Sequence, residues 1–129
     1  MDTRDKIIAL ERAVEIIAEL GGKGIKPKVV TGYFDVLLAS HVRRLREVRN
    51  GTDRLLVMVL DPPEPVLPSR ARAELVAALA VVDYVVPIEK HKAEELLRHF
   101  DAGEIVREES ADLTRARALA EHVHGRQHT

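Results

Sequence analysis

KVVTGYFDVLLASHVRRLREVRNGTDRLLVMVL, residues 28–60, passes from one β-branched run through a loop and an amphipathic segment into a second apolar run. The first run, KVVTGYF from Lys28, has the composition of a buried strand. After a loop to Ser40, HVRRLREVRN sets Val42, Leu45 and Val48 on one side at helical spacing and stops at Asn50-Gly51. RLLVMVL, residues 54–60, is a continuous apolar run bounded by turn residues, which predicts a strand covered on both faces of a parallel sheet. Two parallel strands joined through a helix require a crossover connection.

The same alternation continues in both directions. Upstream, from Thr3, Ile7, Leu10, Val14 and Ile17 recur at spacings of three and four, which predicts a first helix ending at Gly21-Gly22. Downstream, DPPEPVLP is a loop, because each proline removes a backbone donor and fixes φ. Ser69 is then expected to cap RARAELVAALA, VDYVVP to form a third strand ending at Pro87, and EKHKAEELLRHF another helix. GEIV, residues 103–106, suggests a fourth strand, Ser110 a cap for DLTRARALAEHV, and HGRQHT a frayed tail over residues 124–129. The expected fold class is α/β: one domain over residues 1–129, with a doubly wound, mostly parallel sheet in an α/β/α sandwich. Ligands of such sheets bind beyond the carboxyl ends of the strands, which makes residues 31–41 the candidate site.

Composition narrows the function classes. At 129 residues and 46% hydrophobic content, the chain can bury roughly 70% of its unfolded surface in one core. Twenty basic and twenty-one acidic residues give a net charge of -1, which supplies no global field toward nucleic acid or anionic membrane. Arg43, Arg44, Arg46 and Arg49 read as a solvated helix face, since 3% aromatic content leaves little to stack on bases, so no nucleic acid partner is expected. The absence of cysteine removes disulfides, thiolate nucleophiles and Cys-based zinc sites, and makes the cytoplasm the default address. The first twenty residues mix charges throughout and lack a cleavage site, so secretion is not expected. No uncharged run approaches the ~20 residues of a membrane helix, and no membrane partner is expected. His122, His124 and His128 diverge along a helix, which argues against a metal site there.

Within this frame GYFDVLLASHVRRL resembles the signature loop of the cytidylyltransferase-like nucleotidyltransferases, Gly-x-Phe-Asp-x-x-His-x-Gly-His followed by a helix. DRLLVMVL resembles their second strand, and RAELVAALAVVDYVVP their Arg-containing helix running into a Val-Asp-x-Val-Val strand. The first helix with its GGKGIKPK exit is similar to the leader of the nucleotidyltransferase domain in bacterial heptose-phosphate enzymes of lipopolysaccharide core synthesis. The likeness covers residues 4 to about 90. It implies a Rossmann-like nucleotidyltransferase fold and transfer of a nucleotidyl group from CTP or ATP to a phosphorylated sugar or polyol, releasing pyrophosphate. Magnesium would arrive with the nucleoside triphosphate. It further implies a nucleotide site of Thr31, Gly32, Tyr33, Phe34, Asp35, Ser40 and His41, with His41 and Arg72 as catalytic residues that neutralise phosphate charge. A nucleotide and a phosphorylated small molecule are the implied partners, and a symmetric homodimer is compatible with the likeness.

The signature is nevertheless damaged. Leu38 stands where the first histidine belongs and offers no hydrogen bond, an omission worth roughly 3 to 4 kcal/mol, or about 100- to 1,000-fold in rate. Ser40 replaces a glycine that lets a nucleotide approach the backbone, although its hydroxyl is able to cap the second helix. The family's Ser/Thr-rich turn has no convincing match near Ser110 or Thr114, and DPPEPVLP is stiff and acidic. Alternatives therefore stand side by side. His41 is either a surviving phosphate ligand or an inherited helix-start histidine, and Arg72 either faces a triphosphate or is a solvated helix charge. For Asp35 a structural hydrogen bond to the loop backbone is favoured over chemistry, Gly32 is needed for its bare backbone, and Phe34 belongs to the core. The whole is either a weak or altered nucleotidyltransferase or a pseudoenzyme, a catalytically inactive nucleotide-binding sensor or assembly domain.

Overall fold

The computed structural model describes residues 2–37 and 39–127, without the side chains of Ala102 and of residues 124–127. Leu38, on which the damaged signature turns, lies outside the described residues.

Four strands, β1 (Lys28–Gly32), β2 (Leu55–Val59), β3 (Tyr84–Pro87) and β4 (Ile105–Arg107), form one parallel sheet in the order β3-β2-β1-β4. Side chains alternate across a strand, and β2 shows this cleanly. Leu55, Val57 and Val59 join Val30, Leu45, Val48, Ala73 and Val76 under helices α2 (Ala39–Arg49) and α3 (Ser69–Ala77). Leu56 and Met58 join Ala13, Val29, Val86, Ala93 and Leu96 under α1 (Leu10–Gly22) and α4 (Lys90–Leu97). Both faces are covered, which is why β2 carries an unbroken apolar run and is buried at every position. The expected α/β/α sandwich with a parallel sheet is the fold observed. A last helix, α5 (Glu109–Gln127), leaves the end of β4.

Several local expectations differ from the structure. Thr3–Lys6 forms a 3-10 turn, Ile7 makes a parallel bridge to Val85 beside β3, and α1 starts only at Leu10. Helical spacing at Ile7 thus reflects burial against a strand rather than a longer helix. Ser69 is the first residue of α3 rather than its cap, and Pro68 precedes it with no capping side chain. Ser110 likewise lies inside α5, one residue past Glu109, and the last two residues of the expected tail, 128 and 129, lie outside the described residues. Ser40 is the second residue of α2.

Candidate functional site

The site forms at the carboxyl end of β1, where three segments far apart in sequence converge: the 32–37 turn, the proline loop after β2, and the first turn of α5. Phe34 adopts φ +49°, in the left-handed region that non-glycine residues rarely enter. Its ring is buried against His41, with centroids 5.5 Å apart. Two successive backbone N–H groups reach one acceptor here: Tyr33 N donates to Asp112 Oδ2 at 2.7 Å and Phe34 N to the same oxygen at 3.4 Å. The other carboxylate oxygen, Oδ1, lies 2.6 Å from His41 Nε2 and accepts from Arg115 Nη1 at 3.0 Å. His41 and Asp112 are only 3% and 5% exposed, so the pair sits away from water.

Asp112 belongs to no motif of the sequence, where Ser110 and Thr114 are the candidates in this segment. Its signal is a spacing. Glu108, the residue before α5, and Asp112 are four apart, while His41 and Arg44 are three apart on α2. Arg44 Nε donates to Glu108 Oε1 at 2.6 Å, and this carboxylate holds the guanidinium above its ordinary pKa. Glu108 N also donates to Thr31 O at 2.7 Å. The expected wet face of α2 is thus partly an acid-base seam that seats α5, leaving Arg43 and Arg46 exposed.

The proposed ligands of a phosphate are otherwise engaged. Arg72 is fully buried, which overturns its reading as a solvated charge. Its Nε donates to Leu67 O at 3.1 Å, and its Nη1 to Tyr33 O at 3.0 Å and Leu60 O at 2.6 Å. Nη2 donates to Asp61 Oδ1. Asp35 accepts from Val66 N at 2.7 Å and Leu67 N at 2.8 Å, so it fastens the proline loop rather than its own turn. Thr31 is fully buried, and its Oγ1 has no hydrogen-bond partner among the described residues. Gly32 is needed for close approach: a Cβ there would meet Asp112 Oδ2 at 2.5 Å and the Phe34 ring at 2.8 Å. Ser40 is half-buried on α2.

In front of these groups lies a cavity of about 660 Å³. Its walls are chiefly apolar, from Val36, Pro62, Pro63 and Val66 on the loops to Leu113 and Leu119 on α5. Asp35, Glu64 and Asp112 also line it, with His41 and, among the described residues, no lysine or arginine.

Comparison with known proteins fixes the lineage. The bifunctional protein HldE of Caulobacter sp. is 32% identical over 119 residues, which covers 85% of this chain and 24% of that protein. HldE of Rhodopseudomonas palustris is 30% identical over 129 residues, 92% of this chain and 26% of its own, and HldE of Pectobacterium carotovorum 35% over 97 residues. A lipopolysaccharide core biosynthesis protein from Thermoplasma volcanium shares the fold, with a TM-score of 0.56 at 21% identity over 64% of this chain and 95% of that one. The chain is a cytidylyltransferase-like domain. No protein-family model matches it. The cytidylyltransferase-like domain spans about a quarter of the length of these curated relatives. None of its described helices is long and apolar enough to cross a membrane.

Proposed function

We propose that this nucleotidyltransferase-like domain is catalytically inactive and does not hold a nucleoside triphosphate in the loop after β1. The observation that carries this reading is the lining of the cleft: three carboxylates, apolar walls, and no lysine or arginine among the described residues. Nucleotidyl transfer depends on positioned positive charge around the phosphates. Here His41 faces a carboxylate and Arg72 is turned into the protein. Neither CTP or ATP, nor magnesium delivered with it, nor a phosphorylated sugar or polyol finds its counter-charge among the described residues of this cleft.

Among non-catalytic roles, assembly is favoured over nucleotide sensing. Val66, Leu113 and Val123 around the cavity are 76%, 40% and 48% exposed, a rim that offers apolar contact rather than charge. A cysteine-free composition supports a cytoplasmic location.

The test is thermal unfolding with ATP, CTP, AMP or CMP, together with pyrophosphate release from CTP or ATP offered with sugar phosphates. A ligand at a hundred times its dissociation constant adds about 2.7 kcal/mol, so bound nucleotide would visibly raise the melting temperature. No rise and no pyrophosphate are expected. A rise without turnover would restore the sensor, and turnover would restore the enzyme.

A further inference from the structure

Resting on the non-catalytic reading for the statement that the wild type holds no phosphate, we propose that the turn Gly32–Phe34 is a working anion nest. Its resident anion is Asp112, a carboxylate of the protein's own α5 that excludes phosphate from it.

Two features show that the turn is built for an anion rather than merely beside one. Two consecutive N–H groups converge on one oxygen, an arrangement that makes a concave anion site. Gly32 carries no side chain at the one position where a Cβ would collide with the bound oxygen. His41 then completes the site from the start of α2, where the positive end of the helix also favours negative charge.

The occupant is tethered. A group carried on a neighbouring helix has an effective concentration on the order of millimolar or more at its site, so a free phosphate must outcompete an intramolecular rival. Arg115, one turn further along α5, leans on the same carboxylate and moves with it. Phosphate and the docked first turn of α5 thereby exclude each other. The chemical class that replaces Asp112 is a phosphate or pyrophosphate oxyanion.

Inorganic pyrophosphate is the probe, titrated calorimetrically into wild type, Asp112→Ala and Asp112→Asn, each checked for folding by circular dichroism. At least about tenfold tighter binding is expected in Asp112→Ala, the equivalent of 1.4 kcal/mol, with a smaller gain in Asp112→Asn, which keeps the shape and loses the charge. Adding His41→Ala to Asp112→Ala should abolish the gain. In the wild type, the Tyr33 and Phe34 amide resonances should stay in place with millimolar pyrophosphate, a measurement that needs no variant to fold. Movement of those resonances in the wild type, a folded Asp112 variant with no gain, or a gain that survives loss of His41 would each overturn the proposal. The two readings fail separately: a variant without gain beside an inactive wild type sinks only the nest, whereas turnover with unmoved amides sinks only the non-catalytic reading.

Discussion

Arg72 is the residue whose role depends most on its surroundings. A guanidinium has five donors in a rigid fork, and this one spends them on the carbonyls of Tyr33, Leu60 and Leu67 and on Asp61. It is thus a clamp between the turn after β1 and the proline loop after β2. Arg72→Ala would leave buried carbonyls unpaired and is expected to cost about 3 to 5 kcal/mol, the range for breaking a buried charged network, read from urea unfolding. Arg72→Lys should recover little, because a point charge cannot reach three carbonyls at once. Asp61, whose side chain is largely exposed, contributes far less to the clamp. None of this was legible locally, since the acceptors stand 39, 12 and 5 residues from the arginine.

At the scale of elements, the helices were legible and their ends were not. Apolar spacing in HVRRLREVRN located α2, because Leu45 and Val48 must face the sheet whatever surrounds them. Caps were misassigned at Ser69 and Ser110, where a serine near a helix start does not have to accept a backbone N–H of the helix with its oxygen. The consequential element is α5, which is seated by the Glu108–Arg44 and Asp112–His41 pairs. Arg44→Met should loosen it by about 1 kcal/mol, a modest value because Arg44 is partly exposed and its charge is screened. Hydrogen exchange should accelerate over residues 113–123 while the β1 and β2 amides keep their protection. Equal acceleration throughout would mean that α5 does not open as a separate unit.

For the molecule as a whole, the cleft is a meeting of the β1 turn, the proline loop and α5, and repairing one of these does not repair the other two. Leu38→His with Ser40→Gly restores the signature loop in sequence. It is nonetheless expected to release no pyrophosphate from CTP or ATP with sugar phosphates, because Asp112 still fills the turn and Arg72 still faces inward. Activity recovered by those two substitutions alone would show that the loop, rather than the assembled cleft, limits catalysis.

Alone, the sequence determined the sheet, its parallel sense and the place of the cleft. Burial on two faces writes itself into unbroken apolar runs, and burial on one writes itself into helical spacing. It also set Leu38 at a position where the signature loop it resembles has a histidine. Only the tertiary structure decided what fills the turn after β1. Asp112 comes from 79 residues downstream of Tyr33, and whether a carboxylate points to water or to a pair of backbone N–H groups depends on where the fold seats its helix. Hydrophobic pattern is a property of short segments, whereas the pairing of a buried charge belongs to the assembled molecule.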